Sequence, residues 1–236
     1  MELKEVAFRY RRNQPWVLQN VDLAVPRGRI VEVTGPNGAG KSTLLRLMAG
    51  LLHPRRGSIT GRPAVIGYSP ERFPAAQPFT VAAYLGHLAR MRGLPETVVA
   101  PWAERLAFTH LLGTRLPDLS KGSAHKVGLA QALLPGPGFL ILDEPFAGLD
   151  ADTRAALPSL LAELAGGGTT VVVSDHQRCL ADLPDVDRLR VDRHTVSLDE
   201  RPGEHAVIEV VVPLDHADAA TRRLRADGYT VRGVRR

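Results

Sequence analysis

This 236-residue chain has one cysteine and no long apolar run, and both features limit the cellular compartment in which it can function. The single cysteine, Cys179, excludes an internal disulfide and is typical of a reducing compartment. No apolar run approaches the roughly 20 residues that a helix needs to span a bilayer. Residues 1–5 carry charge where a secretion signal requires an apolar core. We therefore predict a cytoplasmic chain without a membrane span.

Aromatic residues are also few, at 5% of the chain, although the net charge is +5 and the isoelectric point about 9.8. A basic excess can serve nucleic acid, lipid headgroups or nucleotide phosphates. Here the arginines form short pairs, such as residues 11–12 and 55–56, rather than tracts interleaved with aromatics. This pattern favours a solvated surface, and no nucleic acid partner is expected.

A glycine-rich loop is the most informative stretch that is present. Residues 35–42 read G-x-x-x-x-G-K-S, between a β-branched run at 30–33 and an apolar helical pattern at 44–49. Glycines let backbone N–H groups turn toward phosphate oxygens at a helix N-terminus. A turn that binds nothing is the alternative, and the correct flanks on both sides disfavour it. We call residues 35–42 the phosphate loop.

This loop predicts a nucleotide site with a divalent metal. Lys41 is expected to reach the β- and γ-phosphates, and the Ser42 hydroxyl to hold Mg²⁺. The other residues expected to contact the nucleotide are Gly35, Asn37, Gly38, Ala39, Gly40 and Thr43.

Two further strands end in polar side chains that suit this chemistry. The apolar run 139–142 ends at Asp143, expected to bind Mg²⁺, and Glu144, expected to deprotonate the attacking water. A helix-capping acid pair is the alternative. His176 follows a second apolar strand, and a neutral imidazole there could contact the γ-phosphate and hold Glu144. A lone histidine is more often structural, so its role stays open on spacing alone.

Strands that alternate with helices around such a loop predict an α/β fold with a mainly parallel sheet. Alternating segments at 2–10 and 17–25 predict a small N-terminal antiparallel β subdomain. Residues 75–134 predict a helical insert. The last segment, 199–236, predicts a small β-α-β appendage, so that the main domain spans residues 1–198.

The helical patterns carry boundary signals. Thr80 can cap a helix that Gly93 ends, and a second pattern covers residues 124–134. A third, over 151–165, contains Pro158, which should kink or split it.

Four motifs in this order and spacing resemble those of the ATP-binding subunit of an ABC transporter: residues 35–43, 119–123, 139–150 and His176. A phosphate loop alone also fits kinases and GTPases. The Leu-Ser-Lys-Gly-Ser signature at 119–123, between that loop and the acidic strand, fits neither. The resemblance covers about residues 1–195. It implies a P-loop NTPase core, ATP and Mg²⁺ as ligands, and ATP hydrolysis coupled to transmembrane transport.

The resemblance also implies roles for five residues. Two such domains pair head to tail, and each ATP lies between the phosphate loop of one and the signature of the other. Ser120 and the backbone of Gly122 would then contact the γ-phosphate held by the partner. Glu144 would be the catalytic base, His176 the switch histidine, and Asp150 a link between the two sites.

Partners follow from the same resemblance. The second ATPase subunit would be another copy or a paralogue, and a separate transmembrane permease is implied because the chain has no span. The permease is expected to contact the groove between Glu71 and helix 81–90, which places the chain peripherally on the inner face of the cell membrane. The alternatives are a soluble ABC-type ATPase acting on nucleic acid or ribosomes, and a module that binds nucleotide without turnover.

Two aromatic residues are candidates for contact with adenine, and three other residues depart from the family's pattern. Tyr10 matches the aromatic that stacks on adenine, with Trp16 as the fallback, although either could simply cap the small sheet. Lys121 replaces a glycine of the signature, and Ser123 replaces its glutamine. Glu71 stands where a glutamine usually faces Mg²⁺. A carboxylate is a good ligand for that ion. Glutamate also resembles what the ATPases of certain exporters have at this position, so the resemblance implies export.

Overall fold

The computed structural model describes residues 1–198 together with Ala220 and Arg223. The chain separates into two compact units, residues 1–200 and 201–236. The predicted β-α-β appendage therefore lies outside the described residues, apart from those two, and stays a prediction. Within the described part, no helix is long and apolar enough to cross a bilayer.

Residues 1–198 form nine strands and five α-helices, with single 3₁₀ turns at Glu96–Val98, Thr109–Leu111 and Leu116–Asp118. In chain order the elements are β1 (Glu2–Phe8), β2 (Leu18–Ala24), β3 (Ile30–Thr34), α1 (Lys41–Met48), β4 (Arg56–Thr60), β5 (Ile66–Ser69), α2 (Val81–Met91), α3 (Val99–Arg105), α4 (Lys121–Leu133), β6 (Phe139–Asp143), α5 (Ala151–Gly166), β7 (Thr170–Ser174), β8 (Val186–Asp192) and β9 (Thr195–Leu198).

The central sheet has the order β5-β6-β7-β3-β8-β9, and every pair in it is parallel except β8 with β9. Ser174 of β7 lies opposite both Val33 of β3 and Asp143 of β6. The carboxyl ends of these three strands therefore meet at one edge, where ligands bind in open α/β sheets.

The core lies on both faces of this sheet, because β6 and β7 are buried along their whole length. Leu140 and Leu142 pack with the buried faces of α2, α3, α4 and α5. Phe139 and Ile141 point to the other face, against α1 and the antiparallel sheet β2-β1-β4. The predicted fold class, with its antiparallel subdomain and helical insert, is confirmed.

Several predicted boundaries were wrong by a few residues. β1 ends at Phe8 rather than residue 10, and α4 begins at Lys121 because Ser120 is its N-cap and accepts from the Ser123 N–H. Pro158 does not split α5, which is continuous. Pro158 has no N–H to donate to the carbonyl of Arg154. Because Arg154 is on an exposed side of the helix, water can donate to that carbonyl instead.

Candidate functional site

The phosphate loop joins β3 to α1 in a conformation that requires glycine. Gly35 has φ 141°, and a Cβ there would lie 2.2 Å from the carbonyl oxygen of Val191. Lys41 is buried, and its Nζ donates to the carbonyls of Gly35 (2.9 Å) and Pro36 (3.3 Å). The ammonium group is thus held within the loop, at the N-terminus of α1, where an anion is favoured.

Asp143 keeps one carboxylate oxygen free for a cation. Its Oδ1 accepts from the hydroxyls of Ser42 (3.2 Å) and Ser174 (2.8 Å). Its Oδ2 is buried, and among the described residues it has no hydrogen-bond partner. A buried acceptor without a partner costs free energy, and hard divalent cations prefer carboxylate and hydroxyl oxygens. The residues present therefore fit a Mg²⁺ ion held by Ser42 and Asp143.

Glu144 and His176 are in direct contact, as a base and its partner would be. Glu144 follows β6 with φ 54°, and its N–H donates to the Ser174 hydroxyl at 2.9 Å. Its Oε2 lies 2.5 Å from His176 Nδ1. Burial raises the pKa of Glu144, and the hydrogen bond to His176 opposes that shift. Asp175, which directly precedes His176, is buried and accepts from the N–H groups of Gln177 and Cys179. These two hydrogen bonds fix the loop that carries His176.

Tyr10 and Trp16 have different surroundings. The Tyr10 ring is 45% exposed, and its hydroxyl shares a 3.0 Å hydrogen bond with the Thr43 hydroxyl, so it lies beside the phosphate loop. The Trp16 ring is instead contacted by the guanidinium groups of Arg9 and Arg56. Of the two aromatics, Tyr10 is the better placed to contact a nucleotide base.

The signature, residues 119–123, lines a cavity of about 400 Å³. Ser120 and Gly122 face this cavity together with Gly148, Leu149 and Asp150. Among the described residues that line it, none belongs to the phosphate loop. The cavity that the signature lines is therefore not shared with the phosphate loop.

Glu71 is the third predicted metal ligand, and it lies on the segment between β5 and α2. It is exposed, and its backbone carbonyl accepts from His125 Nε2 at 2.7 Å. Over the described part of the chain, one group of three side chains has its ligand atoms within 4.8 Å of one another: Glu144, Asp175 and His176. Coordination by Glu71 stays a prediction.

Sequence reasoning missed three residues that organise the site. Ser174 binds both Asp143 and the backbone of Glu144. His125 is buried in α4 and holds the Glu71 loop. Lys126, also buried, contacts Asp150 Oδ2 at 2.6 Å and the Ala107 carbonyl at 3.3 Å. Of these three residues, only Ser174 could have been recognised from the sequence, because it is a polar residue at the end of an apolar strand.

We expect Gly122→Ala to destabilise the protein. A Cβ at Gly122 would lie 2.2 Å from the carbonyl oxygen of Gly148, so the signature helix and the 146–150 loop would have to separate. The expected cost is about 1–3 kcal/mol, measured as a lower Tm. Gly113→Ala is the matched control, because Gly113 has open space around it and no positive φ. Equal Tm values for the two variants would contradict the close contact.

We expect Lys126→Met to raise the pKa of Asp150. The Lys126 ammonium, with the Thr153 N–H, holds the pKa of that carboxyl well below its ordinary 3.8. A depressed folded-state pKa contributes stability that is present above pH 3.8 and is lost as the pH falls toward the depressed value. The variant should lose less stability across that acid range. A carboxyl NMR titration measures the shift, Lys126→Arg should preserve the low value, and an unchanged pKa in Lys126→Met would refute the assignment.

Comparisons with known proteins agree with these motifs. A family model described as ABC transporter matches residues 18–147. A zinc import ATP-binding protein, ZnuC, of Psychrobacter cryohalolentis is 40% identical over 158 residues, or 66% of this chain and 65% of its own length. The ZnuC of Paramagnetospirillum magneticum is 40% identical over 164 residues, 67% of this chain and 62% of its own. The matches thus span less than two thirds of these relatives.

Solved structures give the same fold. An ATP-binding subunit of an ABC transporter is 30% identical, with a TM-score of 0.74, and the match covers 83% of this chain and 87% of that one. A bacterial ABC transporter cassette solved as a dimer is 24% identical, with a TM-score of 0.75 and coverage of 83% and 95%, which supports the fold alone.

Proposed function

This chain belongs to the ABC transporter family, and we propose that it is an ATP-hydrolysing subunit that drives a separate membrane permease. The observation that carries the proposal is the pair of incomplete half-sites. The phosphate loop, with Lys41, Asp143 and Glu144, lies at the carboxyl edge of the sheet. The signature lines a cavity to which the phosphate loop contributes no residue. A second subunit in head-to-tail orientation would complete both.

Hydrolysis in this proposal uses four side chains of one subunit. Lys41 binds the β- and γ-phosphates, for which it exchanges its contacts with the loop carbonyls. Ser42 and Asp143 would hold Mg²⁺, which when bound neutralises charge on the phosphates. Glu144 takes a proton from the attacking water. His176, in contact with Glu144, orients that carboxylate.

The partner's signature would close the site over the γ-phosphate. Ser120 caps α4 through its hydroxyl, so this 13-residue helix presents an ordered N-terminus to an anion. A γ-phosphate that contacts both subunits stabilises the closed dimer relative to the open one. Loss of the γ-phosphate on hydrolysis removes this contact. ATP binding and hydrolysis would thereby close and open the pair.

The curated relatives favour import rather than export. The two ZnuC proteins are named for zinc import, whereas the substitution of glutamate at residue 71 was the single pointer toward export. We therefore propose import, with a metal ion as the first cargo to test. These relatives also give no support to the alternative of a soluble ATPase acting on nucleic acid or ribosomes.

Membrane flotation and transport test this function together. The amount of tagged chain that floats with membranes should rise when its permease is co-expressed. Inverted vesicles carrying both should then export Zn²⁺ from the lumen to the outside when given ATP, which corresponds to import in the cell. Luminal accumulation would establish export instead. Flotation that the permease does not increase, or transport that is indifferent to ATP, would refute the proposal.

A further inference from the structure

Two long segments of the sequence contain no acidic residue. Residues 6–21 and 33–70 together hold no aspartate or glutamate, whereas the chain has 25 in all. The rest of the chain, with 22 basic and 25 acidic residues, is net negative. The positive charge is therefore concentrated in eight residues of these segments: Arg9, Arg11, Arg12, Lys41, Arg46, Arg55, Arg56 and Arg62.

The antiparallel sheet brings part of both segments onto one surface. β1 and β4 are neighbours, with Ala7 opposite Arg56. The guanidinium carbons of Arg9 and Arg56 lie 4.5 Å and 5.1 Å from the centre of the Trp16 ring. Arg55 donates to the carbonyls of Arg9 and Tyr10, each at 3.3 Å. We call Arg9, Trp16, Arg55 and Arg56 the Arg–Trp patch.

Within the described part of the chain, no carboxylate forms an ion pair with the arginines of this patch, Arg9, Arg55 and Arg56. By contrast, Arg29 and Arg188 of the central sheet region pair with Asp187 and Glu32. Like charges gathered without a counter-charge repel and cost free energy. The patch is therefore an arrangement that an anion would stabilise.

The stacking also fixes how the arginines present their donors. A guanidinium that packs on an indole face keeps its N–H edge free for a ligand, and its planar fork matches phosphate oxygens two at a time. One guanidinium group follows β1 and the other begins β4, and both share one indole ring. This arrangement suits a tetrahedral dianion better than a planar carboxylate. The exposed residues 11 and 12, in the adjoining turn, extend the positive surface.

We propose that the Arg–Trp patch binds the phosphate group of a ligand, at a second anion site that does not include the phosphate loop. This goes beyond ATP hydrolysis and does not depend on it. The phosphate group can belong to a soluble polyphosphate compound or to an anionic lipid headgroup, and the two sources are separable by experiment.

Trp16 provides the signal for the test. The chain has two tryptophans, so Trp102→Phe leaves Trp16 as the single reporter. Lys41→Ala strongly weakens phosphate binding at the loop. Titration of this double variant with tripolyphosphate should give a saturable change in fluorescence. Adding Arg9→Gln and Arg56→Gln should raise the Kd by about tenfold or more, because charge-assisted hydrogen bonds are lost. Adding Arg27→Gln and Arg72→Gln, both exposed and outside the ion pairs, removes the same charge and should leave Kd unchanged.

Vesicles distinguish the sources of phosphate. Fluorescence changes with phosphatidylglycerol vesicles, but not with phosphatidylcholine vesicles, would assign the site to lipid headgroups. A response to tripolyphosphate alone would assign it to a soluble ligand. Calorimetry on Lys41→Ala with both tryptophans repeats the test should Trp102→Phe fail to fold. No saturable binding of either ligand, or equal weakening in the Arg27→Gln/Arg72→Gln control, overturns the proposal.

Discussion

Glu144→Gln is expected to lower the kcat for ATP hydrolysis by roughly 10²–10⁴-fold, the usual contribution of a general base. The amide cannot accept the proton of the attacking water, yet it keeps nearly the shape of the carboxylate. ATP binding should therefore survive, and the variant should accumulate as an ATP-bound dimer on size exclusion. Phosphate release and elution volume are the two measurements.

Glu104→Gln is the matched control for that experiment, because Glu104 is exposed on α3 and outside the candidate site. It should hydrolyse ATP and elute as the unmodified protein does. A Glu144→Gln protein that stays monomeric with saturating ATP would count against the shared site. One that turns over at the normal rate would remove Glu144 from the role of base.

Lys41→Ala is expected to weaken ATP binding by roughly 10²–10⁴-fold, since each charge-assisted hydrogen bond to phosphate contributes about 1.5–3 kcal/mol. The lysine also donates to the carbonyls of Gly35 and Pro36, so its removal frees two acceptors of the loop. Affinity is measured by equilibrium binding of a fluorescent ATP analogue. A thermal melt shows separately how far the fold is weakened.

Lys4→Ala tests whether charge alone explains that loss. Lys4 is exposed on β1, outside the phosphate loop, and pairs with Glu2, so its removal takes away the same charge without freeing a loop carbonyl. Affinity for ATP should stay within about twofold, because surface ion pairs contribute little. Equal affinity of Lys41→Ala and the unmodified chain would exclude the phosphate loop from nucleotide binding.

Local signals explain why so much of the fold was predictable. The strand before the phosphate loop, the fully apolar β6 and β7, and the Thr80 cap all depend on residues a few positions apart. Such signals failed where tertiary contacts override them. β8 was not predicted, because its charged residues hide the buried set Val186, Leu189 and Val191.

The sequence by itself determined the motifs, their order and their placement at strand and helix ends, because spacing and periodicity are encoded locally. Only the tertiary structure decided which polar groups meet. His176 contacts Glu144, and Lys126 contacts Asp150. Asp143 keeps one buried oxygen that has no hydrogen-bond partner among the described residues. The physical reason is that parallel register and helix packing, rather than position along the chain, set the distances between these side chains.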